Sequence, residues 1–144
     1  MKRRIINQIR LSFPSKSVNE SLARIVVSAV AMQLDPTVEA LADIKTAVSE
    51  AVTNAIVHGY REAPGEVQLS AAYYDDGLLR ITVKDAGCGI ADVKAAMEPL
   101  YTTDATGERS GMGFAIMQSF MDAVRVRSKP GVGTKVTMDK YIKS

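Results

Sequence analysis

Cysteine and histidine occur once each in this chain, as Cys88 and His58, and charge of either sign barely dominates, since 18 Lys and Arg offset 16 Asp and Glu to a formal net charge of +2. A lone cysteine excludes an intramolecular disulfide. With no second His or Cys at ligand spacing, His58 reads as a helix-end residue rather than a metal ligand. A charge so near neutrality lacks the bulk electrostatic footprint of a nucleic-acid binder, so no direct nucleic-acid contact is expected. No apolar stretch approaches the length of a membrane span. The opening MKRRIINQIRLSF carries no apolar core of a secretory signal. No repeat or low-complexity tract is present. The phosphate-binding signature G-x-x-x-x-G-K-[ST] is missing, and so is the G-x-G-x-x-G that opens a dinucleotide-binding unit. What is left is a chain of 144 residues, 47% hydrophobic and 24% charged. That is the size and balance of one globular domain over residues 1–144, expected in the cytoplasm and off the membrane.

Periodicity then supplies the elements. From Gln8 to Phe13, apolar Ile9, Leu11 and Phe13 alternate with polar neighbours, which predicts a half-buried strand closed by Pro14. Ser17 with Glu20 reads as a capping box opening a helix through Leu34, with Leu22, Ile25, Val26, Ala29 and Val30 at helical spacing. Asp35 and Pro36 predict the start of a second helix running to His58 and stopping at Gly59, with Leu41, Ile44, Val48, Val52 and Ile56 as its apolar stripe. Runs from Glu66 to Tyr74 and from Leu78 to Lys84, joined by Asp75-Asp76-Gly77, predict a hairpin. The segment from Asp85 to Gly113 reads largely as mobile loop. A third helix is expected from Gly113 to Asp122, with Phe114, Met117, Phe120 and Met121 apolar and its methionines serving as core filler. Two closing strands flank Lys129-Pro130-Gly131-Val132-Gly133. Strands paired as hairpins argue for an α+β, two-layer sandwich, with helices on one face of a mixed or antiparallel sheet.

Four short segments can carry chemistry. Glu50, Asn54 and His58 are four residues apart on the second helix and share a face turned from the apolar stripe, flanked by the small Ala47, Ala51 and Ala55. Taken alone, that face reads first as plain solvent surface. Asp85-Ala86-Gly87-Cys88-Gly89 follows a strand, and its glycines permit a tight turn in which a carboxylate accepts a hydrogen bond from an amino group such as that of adenine. An ordinary glycine-rich turn has the same look. Arg109-Ser110-Gly111-Met112-Gly113 leads into a helix and offers backbone N–H groups, a helix dipole and a guanidinium to phosphate, or else is a linker with a solvated arginine. Gly131-Val132-Gly133-Thr134 is by itself a hairpin turn.

In order along the chain, E-x-x-x-N, D-x-G-x-G, G-x-G and G-x-G-T resemble the N, G1, G2 and G3 boxes of the GHKL ATPases. The resemblance implies the Bergerat ATP-binding fold, with ATP and Mg²⁺ as ligands. The boxes run from Glu50 to Thr134, which leaves no room in this chain for a transducer domain and favours the anti-sigma switch kinases. SEAVTNAIVHGY, PLYTT, ERSGMGFAIM and FMDAVRVRS resemble the sporulation branch of those kinases, the sigma F type, over nearly the full length.

Carried over by position, the resemblance makes Glu50 the general base, Asn54 the Mg²⁺ ligand and Arg109 a neutraliser of phosphoryl charge. It makes Asp85 the adenine reader, with Gly87, Gly89 and Thr134 shaping its end of the pocket. Thr102, Thr103, Ser110, Gly111, Met112 and Gly113 are implied nucleotide contacts in and after a lid from Glu98 to Ser110. Arg24 matches a position that contacts both a sigma factor and an anti-anti-sigma factor. The implied activity is protein-serine kinase and anti-sigma factor in one homodimeric chain, its partners a sigma factor of the sigma F type and an anti-anti-sigma factor. The stress-response sigma B switch and a nucleotide-gated binding module without kinase activity are the alternatives, and the presence of Glu50 argues against the second.

Overall fold

The computed structural model describes residues 2–61, 63–98 and 113–142. In chain order its elements are strand β1 (Ile5–Pro14), helices α1 (Asn19–Met32) and α2 (Val38–Thr53), a π-helical turn (Asn54–Gly59), strands β2 (Glu66–Tyr74) and β3 (Leu78–Asp85), helices α3 (Val93–Ala96) and α4 (Gly113–Phe120), and strands β4 (Ala123–Lys129) and β5 (Gly133–Tyr141). The strands form one sheet in the order β1-β2-β3-β5-β4. Every pairing in it is antiparallel, so the sheet is antiparallel rather than mixed.

The register follows from the alternation of side chains along each strand, because a slip of one residue would turn every apolar group into water. Leu11 faces Leu69, Leu69 faces Val83, Val83 faces Val136 and Val136 faces Val126, so one face of the sheet is apolar from edge to edge. The helices cover that face. Ile44, Val48 and Val52 of α2 are fully buried, each worth roughly 1.5–3 kcal/mol relative to exposure. Ala47, Ala51 and Ala55 belong to the core as well. Their small size lets α2 lie close between α1 and α4, so this flank of the Glu50 face is core rather than solvent surface. Lys140 ties this layer together, donating to the Phe120 carbonyl at the end of α4 at 2.6 Å and pairing with Asp43 of α2 at 3.8 Å.

Three helix details differ from the pattern expected of the sequence. No capping box forms at α1: Val18 is its N-cap without a side-chain bond, and Glu20 instead accepts from Ser49 of α2 and pairs with Arg24 at 3.6 Å. The buried side of α1 is Ala23, Val27, Val30 and Ala31, while Leu22 and Ile25 face outward. Helix α2 is capped not by Asp35, which takes a positive φ of 53°, but by Thr37, whose hydroxyl accepts from the Ala40 N–H at 3.0 Å. No helix among the described residues is long and apolar enough to cross a membrane.

Candidate functional site

At Asn54 the regular winding of α2 gives way to the π turn. Bonding from i to i+5 widens the helix there, a feature concentrated at functional sites. The four-residue stripe expected of Glu50, Asn54 and His58 therefore ends at Asn54, and His58 is carried into a wider turn. Glu50 and Asn54 are both half-buried. Gly113, the first residue of α4, lies against both. A β-carbon built on Gly113 would stand 3.1 Å from Asn54 Nδ2 and 3.3 Å from Glu50 Oε2. A carboxylate and a carboxamide one helical turn apart thus meet the start of a helix that lies far from both in sequence, and a helix start of this kind favours anions.

The far end of the π turn closes on Asp85 at the end of β3. A β-carbon on Gly59 would lie 2.8 Å from the Asp85 carboxyl, and one on Gly87 would lie 1.9 Å from the Gly59 carbonyl oxygen. On the opposite side a β-carbon on Gly133, whose φ is +142°, would lie 2.2 Å from the Asp85 backbone oxygen. The absent side chains are what allow the backbone to draw in around one carboxylate. Asp85 is 6% exposed. Burial raises its pKa above the usual carboxylate value, and the backbone N–H groups of Gly87 and Thr134 pull the other way. Gly87 donates at 2.9 Å. An ionised carboxylate has about four acceptor positions, so two backbone donors leave capacity for a ligand's amino group.

Neighbouring polar groups brace this turn. The Ala86 N–H donates to Tyr60 Oη at 2.7 Å, and Tyr60 Oη donates to the Glu66 carbonyl at 2.5 Å. Cys88 donates its N–H to the Gly59 carbonyl at 2.8 Å, and Gly131 donates to the Cys88 carbonyl at 2.8 Å, so the G1 turn is bonded to both the π turn and the last hairpin. Gly89 holds φ +75° beside Lys129. Ser128 lies 2.8 Å from the Thr134 hydroxyl, donates to the Gly133 carbonyl at 3.0 Å and accepts from the Ile90 N–H at 2.7 Å.

The fold thus brings together Glu50, Asn54 and Gly113 at one end, and Asp85, Gly87, Gly89 and Thr134 at the other, with the π turn joining them. Thr102, Thr103, Arg109, Ser110, Gly111 and Met112, together with most of the expected lid, lie outside the described residues. Arg24 is elsewhere, on α1, where it is held by Glu20. Through Glu20 it connects to Ser49, the residue before Glu50. Gly59, Tyr60 and Ser128 did not stand out in the sequence. Gly59 had a simpler reading as a helix stop, and Ser128 becomes visible only once the last hairpin's register sets it opposite Thr134.

Among the described residues no group of three or more His, Cys, Asp or Glu is placed to hold a metal ion. The Asn54 amide oxygen is a hard donor of the kind that could hold a Mg²⁺ ion here.

Comparison with known proteins agrees with this fold. The family model described as histidine kinase-like ATPase domain matches residues 13–140. The anti-sigma F factor of Thermoanaerobacter sp. strain X514 is 55% identical over 138 residues, covering 96% of each chain. The protein of the same name from Halalkalibacterium halodurans is 52% identical over 136 residues, covering 94% of this chain and 93% of its own. Among solved structures, that of the RsbU and RsbW domains of a Mycobacterium tuberculosis protein superposes with a TM-score of 0.69 at 20% identity, over 94% of this chain and 32% of that one.

Proposed function

The chain belongs to the histidine kinase-like ATPase family, in its anti-sigma F factor branch, and from that premise we propose that it binds Mg-ATP, holds a sigma factor of the sigma F type, and phosphorylates a serine of the matching anti-anti-sigma factor. The observation that carries this reading is the convergence of Glu50, Asn54 and Gly113. A nucleotide domain used only for binding has no need of a carboxylate beside the phosphate end of its pocket. A kinase does.

In this reading Asp85 accepts from the adenine amino group and Thr134 supports that end. Asn54 holds Mg²⁺, whose chemistry when bound with ATP is to neutralise phosphate charge. Glu50 takes the proton of the serine hydroxyl as that oxygen bonds to the γ-phosphorus and the bond to the β,γ-bridging oxygen breaks, releasing ADP. Arg109, with Thr102, Thr103, Ser110, Gly111 and Met112, is assigned to the phosphates and lid. Arg24 is assigned to the partner surface, and its link through Glu20 to Ser49 supports a connection between that surface and the helix that bears the base.

The domain is proposed to act as a homodimer in the cytoplasm. Val18, Leu22, Ile25, Ala29 and Met32 are all exposed and recur at alternating spacings of four and three along α1. That is the seam of a helix that pairs with another helix. Exposed Ile5 and Ile6 on the edge strand β1 extend the apolar surface.

The test is phosphate transfer from γ-labelled Mg-ATP to an anti-anti-sigma protein, with sigma binding measured alongside, for wild type and Glu50→Gln. Label on a partner serine that disappears in Glu50→Gln while sigma binding persists is the expected result. Transfer undiminished in Glu50→Gln would refute the assigned base, and no transfer by a wild-type protein that binds ATP and sigma would refute the kinase.

A further inference from the structure

The face of the sheet turned away from the helices is polar, as strand alternation requires, but its charges are arranged at a cost. Ser12, Gln68, Lys84, Lys135 and Arg127 occupy one row across the five strands, in which Lys84 faces Lys135 directly and Lys135 faces Arg127. Like charges directly opposite on neighbouring strands destabilise a sheet. All three cations are exposed, as is Arg10 in the next row. None of the four has an ion-pair partner among the described residues. The carboxylates of this face are committed elsewhere. Asp139 is held by Arg80 at 2.8 Å and Arg125 at 3.6 Å, and Glu66 accepts from Gln68 at 3.1 Å. Between the cations runs a shallow groove of about 400 Å³, lined by Arg10, Ser12, Gln68, Thr82, Lys84 and Lys135.

We propose that this open face is a docking surface for an acidic helix of a partner protein, laid along the Lys84, Lys135, Arg127 row. The spacing selects the occupant. Neighbouring strands stand about 4.8 Å apart, and carboxylates three or four residues apart on a helix stand about 5–6 Å apart, so the two series run in step. An extended peptide repeats on one face only every ~6.6 Å. The row and the groove carry no aromatic ring on which bases would stack, and the net charge of +2 lacks a nucleic-acid footprint. The proposal draws nothing from the nucleotide site, which lies on the other side of the sheet.

The experiment titrates the full chain with a helical peptide of about 20 residues bearing Glu at every third or fourth position, with its Gln counterpart, and with an oligothymidylate of equal charge. The expected result is salt-sensitive binding of the Glu peptide, lost for the Gln peptide and weakened about tenfold in Lys84→Gln/Lys135→Gln/Arg127→Gln. That variant should melt no lower than wild type, since its changes remove repulsion. Failure of the Glu peptide to bind, equal binding by wild type and variant, or tighter capture of the oligothymidylate would each overturn the proposal, the last by making the face a nucleic-acid surface.

Discussion

The two faces of the one sheet place their functional groups by different physics. On the covered face Asp85 sits where backbone approaches backbone, with Gly59, Gly87 and Gly133 drawn in until no β-carbon fits. On the open face Lys84, Lys135 and Arg127 are exposed, and strand register alone sets their charges in a row. A site built from close backbone contact tolerates almost no added atom, whereas a site built from exposed charge should change in small, nearly additive steps.

The sharpest break of that contrast is Gly87→Val. With the β-carbon 1.9 Å from the Gly59 oxygen, the backbone must move, and the expected outcome is a loss on the order of 2–4 kcal/mol in thermal or urea unfolding, together with loss of ATP binding. Glu50→Gln comes next, because it keeps the shape and removes the proposed base. Phosphate transfer should fall roughly 10²–10⁴-fold in single-turnover assays while ATP affinity is retained. On the outer side of α1, Ile25→Lys should raise the dimer dissociation constant about tenfold or more in sedimentation analysis, the scale of one buried apolar side chain.

Asp85→Asn tests the covered carboxylate through pH. The folded-state pKa of Asp85 lies above its ordinary 3.8, so its contribution is most favourable when the acid is protonated at low pH and is lost as pH rises through the folded value. Asp85→Asn should therefore melt above wild type near neutrality in the absence of ligand, with the difference closing as pH falls toward the carboxylate range. ATP binding should weaken in the same variant. The smallest effect belongs to the open face, where Lys135→Thr should stabilise the chain by roughly 0.2–1 kcal/mol, read from denaturant unfolding.

The strands and the core stripe of α2 were legible because burial imposes a period that sequence displays directly. The runs from Glu66 to Tyr74 and from Leu78 to Lys84, read as a hairpin, are strands β2 and β3, the second ending one residue later at Asp85. Helix ends were less legible, since capping is a competition among several polar side chains. Glu20 suits a capping box, but Ser49 and Arg24, brought near by the packing of α1 on α2, take its oxygens instead. Thr37 displaces Asp35 for a local reason, its hydroxyl accepting from the Ala40 N–H.

Of the site, the four boxes and their glycines were visible as a spacing, but the device that joins them was not. The π turn from Asn54 to Gly59 has no pattern in NAIVHG to announce it, and the approach of its two ends to Gly113 and Asp85 is a tertiary feature. Gly59 was similarly hidden, since a glycine after an apolar helix reads as a stop signal whether or not a carboxylate lies against it.

The central claim is that the covered face assembles a pocket in which buried Asp85 recognises the amino group of adenine. Calorimetric titration of the wild-type chain with ATP and with inosine triphosphate, which lacks that amino group, tests it most directly. Tighter binding of ATP by about 100-fold or more is the expected result, because the analogue leaves a buried acceptor without its donor. Equal affinities would contradict the assignment of Asp85.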